Sequence, residues 1–170
     1  MQENTVIVIE DYNPLWPSEF ASLATTVGAA LGPVLVRIEH IGSTAVPNLP
    51  AKPIIDLDAV VTVGQVPEAI RRLQAIGYIH KGDQGVVGRE AFRSPSGTVL
   101  HHLYVCSMDS PELAAHVKFR DALRANTELA TTYGHLKREL AARFGEDRAG
   151  YCEAKTEFVR SLLASQIERQ

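Results

Sequence analysis

Cysteine is scarce: Cys106 and Cys152 are the two in 170 residues, and neither lies in a C-x-x-C spacing. A disulfide framework and a structural zinc site are both poorly supported, so both cysteines read as reduced thiols. No apolar run approaches the roughly 20 residues that a helix needs to cross a bilayer, so no membrane is expected as a partner. Met1-Gln2-Glu3-Asn4 lacks the basic start and apolar stretch of a signal peptide, which leads us to expect a cytoplasmic chain. Charge of one sign is also missing, with a net value of -3, so strong attraction to extended nucleic acid is not expected. A small nucleotide needs only a local positive pocket and stays open. Repeats, linkers and low-complexity tracts are absent, and a hydrophobic share of 45% suits one domain over residues 1–170.

The hydrophobic pattern lays out the elements. Thr5 to Glu10 is a β-branched run and reads as a strand. Helical spacing covers Ser18 to Leu31 and stops at Gly32-Pro33. Val34 to Ile41 and Ile54 to Val63 read as strands, joined by a loop punctuated by Pro47, Pro50 and Pro53. A helix follows over Val66 to Ile76. Gly85 to Phe92 and Thr98 to Cys106 then read as a hairpin around Pro95-Ser96-Gly97. The remainder is helical, over Pro111–Ala125, Glu128–Phe144 and Arg148–Glu168, with Ser110 and Asp147 as N-caps and Gly145 as a stop. Strands and helices first and three helices last define an α+β fold with a helical C-terminal half, whose helices are expected to wall a cleft.

Alternation along a strand puts Asp56 and Asp58 on one face and Ile55, Leu57, Ala59 and Val61 on the core face. Neighbouring carboxylates repel unless both are solvated or a divalent cation lies between them, and Mg²⁺ favours such a pair with phosphate oxygens and water. Gly42-Ser43, where the preceding strand ends, can bring main-chain N–H groups and a hydroxyl close to an anion, or simply serve a turn. Lys52 adds a point charge suited to phosphate, although most lysines are plain surface residues. On the later strand His102 and Tyr104 are expected on the cleft side beside the aspartates. His102 is then a candidate general base, metal ligand or base-stacking group, and His101 a satisfied, semi-buried histidine.

The run from His40 to Asp58, H-I-G-S-T-A-V-P-N-L-P-A-K-P-I-I-D-L-D, resembles the signature of the GrpB family. Gly88-Arg89, Phe92-Arg93, His102-Leu103-Tyr104-Val105, Phe119-Arg120-Asp121 and the tail from Tyr133 to Phe158 extend the resemblance over nearly the whole chain. The resemblance implies a minimal nucleotidyltransferase-like fold, a mixed sheet with flanking helices. That superfamily's pattern is Gly-Ser after one strand and acid-x-acid on the next, as Gly42-Ser43 and Asp56-x-Asp58 stand here. The acids would hold Mg²⁺ on a nucleotide while an acceptor hydroxyl attacks the α-phosphorus. There are departures: Tyr104 stands for the second His of the family's His-Leu-His-Val, and Asn48 for a customary Gly. No third acid falls on the Val99–Val105 strand, where His102 is the substitute and Glu90 on the preceding strand the nearest carboxylate.

The expectation is a Mg²⁺-dependent nucleotidyltransferase-like enzyme acting on a small-molecule acceptor. Asp56 and Asp58 hold metal, Gly42, Ser43, Lys52, Arg89, Arg120 and Lys155 bind the nucleotide's phosphates, and His102 or Glu90 activates the acceptor. Arg93, Lys137 and Arg148 are further basic candidates. Two alternatives remain: a non-catalytic module binding a nucleotide or coenzyme A precursor, since the family is also found fused to dephospho-CoA kinase, and a metal hydrolase using His102, Asp56, Asp58 and His40.

Overall fold

A computed structural model describes residues 6–167. Helix α1 (Trp16–Leu31) opens on Pro17, whose fixed φ suits a first turn, and ends at Gly32. Strand β1 (Leu35–Ile41) leads through a 3₁₀ turn at Ser43–Ala45 and the proline loop into β2 (Ile55–Val61). Helix α2 (Val66–Ala75), β3 (Ile79–His80), β4 (Arg89–Arg93) and β5 (His101–Ser107) follow. Three helices complete the chain: α3 (Pro111–Ala125), α4 (Thr127–Phe144) and α5 (Arg148–Ile167). The Ser110 and Asn126 side chains cap α3 and α4, Asp147 Oδ1 accepts from Gly150 N at 3.0 Å, and Gly145 stops α4 at φ 54°.

The strands form one mixed sheet in the order β1-β2-β5-β4-β3, in which β2 and β5 are parallel and the other pairs antiparallel. One face is apolar: Ile55, Leu57, Ala59 and Val61 of β2 and Leu103 and Val105 of β5 are buried against α1 and α2. Helices α3, α4 and α5 build smaller apolar clusters on the other side, around Leu123 and Tyr133, and around Leu140 and Tyr151. Segregating the polar strand positions to that second side leaves the site between sheet and helices.

His40 is bound into this frame. Its ring stacks on Phe20 at 4.3 Å and Nε2 lies 3.1 Å from Thr44 Oγ1. Burial, and then the charge of Arg124, depress its pKa to about 4. A depressed folded-state pKa gives stability that is full above the unfolded value near 6.5 and lost as pH falls through about 4. Urea unfolding of wild type and His40→Gln at pH 7.5 and pH 4 should show the wild type losing ~3 kcal/mol more than the variant over that interval. Parallel losses would place the acid sensitivity elsewhere.

Two expectations need correction. The run up to Glu10 is not a strand: Thr5 lies outside the described residues, and residues 6–10 make one isolated bridge, Glu10 to Ala51. Ile7 and Ile9 pack under the C-terminal helices instead, with Ile7 against Leu140 and Tyr151, while Val6 and Val8 are exposed. The strand placed over Gly85 to Phe92 begins only at Arg89, because positive φ angles at Gln84, Gly85 and Gly88 make turns of the residues before it. Strand β3, two residues long, carries no pattern of its own in sequence.

Candidate functional site

The β2 register sets Asp56 beside Ile41 and Asp58 beside Glu39 on one flank, and beside His102 and Tyr104 on the other. Both carboxylates point away from the α1–α2 core, as alternation requires. The chain leaves β1 at Gly42 with φ 72° and ψ -174°, which a side chain rarely tolerates. A Cβ there would meet Asp56 Oδ2 at 2.2 Å, so the glycine is what admits the carboxylate. Ser43 follows on the cavity wall.

Each aspartate has a histidine. His102 Nδ1 lies 2.8 Å from Asp56 Oδ1, and His116 Nδ1, from α3, lies 2.7 Å from Asp58 Oδ2. Asp56 lines the cavity, whereas Asp58 is fully buried behind it. Burial raises the Asp58 carboxyl above its ordinary range, against the bond from His116. Burial acts to lower the His116 imidazole, but Asp58, and Glu112 beyond it, raise it overall. Glu112 Oε1 is 3.1 Å from His116 Nε2 and 3.7 Å from Arg89 Nη1, so a chain Asp58–His116–Glu112 runs from the interior to the cavity. Asp58 Oδ1 and Arg89 Nε are buried without a hydrogen-bond partner among the described residues.

The cavity has a volume of about 660 Å³, within the range of small-molecule sites. Its lining combines Asp56, His102, His116, Glu112 and Arg89 with the basic residues Lys52, Lys137, Arg148 and Lys155. Lys137 is nearly inaccessible, and its Nζ donates to the Pro50 carbonyl. Burial, followed by Lys155 and Arg138, depresses its pKa to about 7. Burial likewise lowers Lys52, and Lys155 and Arg148 push it further.

The structure therefore brings together Gly42, Ser43, Lys52, Asp56, Arg89, His102 and Lys155, with Asp58 directly beneath. It does not bring in Glu90. Facing Val105 in the β4–β5 register, Glu90 lies on the other side of the sheet and holds His80 at 2.6 Å. Nor does Arg120 line the cavity: it clamps Glu39, Asp121 and the His40 carbonyl and ties α3 to β1. Arg93 is exposed outside the cavity, and His40 pairs with Leu57, so it faces away from the aspartates. His101 is buried as a satisfied histidine, bonded to Tyr78 Oη and the Val99 carbonyl. His116 and Glu112 were missed. Their i, i+4 spacing in a helix was the available signal, but nothing in it says which face meets the aspartates.

Gly-Ser leaving one strand, acid-x-acid on the next, a mixed sheet and a helical second half define a domain of the nucleotidyltransferase-like fold. Solved structures of Cid1, a poly(U) polymerase, share it: the complex with the short product ApU aligns at TM-score 0.56 and 12% identity over 76% of this chain and 42% of that one. The MgGTP-bound form aligns at TM-score 0.55 and 13% identity, over 79% and 45%. Within that fold the chain belongs to the GrpB family, whose profile (GrpB protein) matches residues 6–165. The crystal structure of the conserved protein GrpB from Enterococcus faecalis is similar at TM-score 0.74 and 32% identity, covering 92% of this chain and 99% of that one. Among curated relatives, the UPF0157 protein YqkA of Bacillus subtilis is 34% identical over 88% of this chain, which spans 44% of YqkA's length. A UPF0157 protein of Halalkalibacterium halodurans is 32% identical, over 94% of this chain and 82% of its own. No helix among the described residues is long and apolar enough to cross a membrane.

Proposed function

We propose that this chain is a cytoplasmic, Mg²⁺-dependent nucleotidyltransferase-like enzyme that moves a nucleotidyl group onto a small-molecule acceptor. The observation that carries the reading is the Asp56–Asp58 pair set against the Gly42-Ser43 turn at the floor of a basic cavity. The donor set fits a hard divalent cation: two carboxylates on one face, one of them fully buried with Oδ1 unpartnered. Among the described residues no three His, Cys, Asp or Glu side chains form a metal cluster by themselves. Mg²⁺ tolerates that, because substrate phosphates and water complete its shell. This argues against a hydrolase built on a protein-only metal cage.

Asp56 and Asp58 would hold Mg²⁺, which supplies charge neutralisation at the transferred phosphoryl group. The chain's own groups do the rest. Gly42 and Ser43 bound the phosphate position, and Arg89 and Lys52 balance its charge. His102, whose Nδ1 is 2.8 Å from Asp56 Oδ1, would take the acceptor's proton in place of a third acid. A small acceptor suits a chain of net charge -3 better than a long RNA.

One observation favours a second reading, a non-catalytic module for nucleotides or coenzyme A precursors: the cavity face of β5 offers His102 and Tyr104 but no carboxylate. A thermal-shift screen of nucleotides and pantetheine compounds, with and without Mg²⁺, followed by product analysis separates the two. The expected result is a Mg²⁺-dependent rise with a triphosphate, and product formation that drops at least a hundredfold in Asp56→Asn, on the order of the loss of one essential electrostatic group. Binding without product supports the module. No response to any nucleotide or pantetheine compound sinks both.

A further inference from the structure

The strands place one part of the site and leave another to be placed. Ile41 pairs with Asp56, so the β1–β2 ladder itself holds Gly42 beside the carboxylate. Ser43 and Lys52 also line the cavity, but they stand outside that ladder, in the loop that joins the two strands. The loop has few donors of its own, because Pro47, Pro50 and Pro53 lack an N–H. Its carbonyls depend on groups from elsewhere, since a buried carbonyl without a donor is costly.

Helix α4 meets this loop through three residues. Tyr133 Oη is hydrogen-bonded to the Ser43 side chain. Phe119 and Phe158 flank the Tyr133 ring at 5.3 and 5.1 Å, so packing alone would accept phenylalanine there. The hydroxyl is the part that reaches Ser43. Gly134 lets the helix backbone approach closely: a Cβ there would stand 3.0 Å from Pro50 Cδ and 3.5 Å from Leu49 Cδ1. Lys137 Nζ donates to the Pro50 carbonyl, two residues before Lys52. That lysine is 2% exposed, an unusual depth for a cation whose acceptor is a main-chain carbonyl and not a carboxylate. Val46 and Leu49 complete the contact by packing in one apolar cluster with Tyr133 and Ala130.

We propose that Tyr133, Gly134 and Lys137 are positioning residues: this part of α4 orients the Ser43 hydroxyl and sets Pro50, and through it Lys52, against the Asp56 strand. The sheet then supplies the carboxylates, and the helical half places the groups that face them. What the loop is positioned for rests on the transferase reading; that α4 positions it does not.

Two measurements on the full chain test this. The first needs no ligand. Lys137→Met and Gly134→Ala should speed hydrogen exchange at the Leu49 and Ala51 amides by at least about tenfold, with β2 and β5 amides unchanged. Alanine favours a helix interior, so a faster loop in Gly134→Ala does not come from a weaker α4. The second is calorimetric titration with inorganic tripolyphosphate and Mg²⁺. Tyr133→Phe and Ser43→Ala should each weaken binding by roughly five- to tenfold, and the double variant should bind no more weakly than Ser43→Ala alone. No loss in Tyr133→Phe, or additive losses in the double variant, overturns the proposal. So does exchange that is unchanged in either α4 variant or that quickens across β2 and β5 as well. If the wild type binds neither tripolyphosphate nor any nucleoside triphosphate, the transferase reading falls and exchange alone decides. A locally faster loop then keeps α4 as its positioning element, and an unchanged one removes it.

Discussion

Gly42→Ala is expected to lower the unfolding free energy by at least ~3 kcal/mol and to empty the site of its open carboxylate in the same step. The backbone at φ 72° and ψ -174° belongs to a region that only glycine occupies at ease. The added Cβ would also stand 2.2 Å from Asp56 Oδ2 and 3.0 Å from its Cγ. Relief requires either the turn or the Asp56 side chain to move, and moving the latter breaks its 2.8 Å contact with His102. For a chain of this size such a loss lowers Tm by roughly 10 °C. Gly97→Ala is the control: its φ is 80° but nothing lies within 4 Å, so only the left-handed backbone cost of about 1 kcal/mol remains. Calorimetric melts of the two variants check the contrast. A Gly42→Ala protein that melts within about 2 °C of wild type would show that the turn absorbs the methyl.

That glycine illustrates what a sequence carries. Its place at a strand end was legible because β-branched residues and alternation mark β1 and β2 locally. The α3 boundaries were legible from Ser110 and Pro111 for the same reason, since cap and first turn are neighbours in the chain. Where the pattern failed, a distant partner decided. The β-branched run before Glu10 has strand propensity but does not pair with the sheet, and Ile7 is buried under α4 and α5 instead. The Gly-rich stretch before Arg89 takes its turns from backbone freedom that any Gly-containing segment shares.

The site divides in the same way. Asp56, Asp58 and Gly42-Ser43 stand on adjacent strands, and period-two alternation settles which face they share. Which face Glu90 takes depends on the β4–β5 register, and the hairpin turn signal does not fix that register. Arg120, Lys137 and His116 all sit on helices whose rotation is set by packing. Sequence spacing cannot tell that Arg120 turns toward Glu39 while Lys137, a helix away, turns into the cavity. The basic residues were recognisable as a group, but the division between clamp and lining belongs to tertiary structure.

His116→Ala is expected to be the costliest change on the helical side, at ~3–5 kcal/mol near neutral pH. Asp58 is fully buried, and His116 Nδ1 at 2.7 Å is its hydrogen-bond partner. With Oδ1 already unpartnered and only the weakly donating Cys106 thiol alongside, the variant leaves an ionised carboxylate in a low-dielectric pocket. The carboxyl can escape by taking up a proton, which limits the loss and fixes its pH dependence. Burial already raises this pKa in the wild type, and removing His116 takes away the bond that opposes it. A raised folded-state pKa gives stability that is present at low pH and lost as pH rises through it, so the variant itself should lose stability as pH rises from 5 to 8. Combining His116→Ala with Asp58→Asn should cost less than the two single changes together, by ~1–3 kcal/mol. Mg²⁺ then separates a structural ion pair from a covered metal ligand. If Asp58 is a ligand, the cation competes with His116 for it, and millimolar Mg²⁺ should raise the melting temperature of His116→Ala more than that of wild type. Equal responses in the two proteins would assign Asp58 to the frame and leave Asp56 as the carboxylate that meets the ligand.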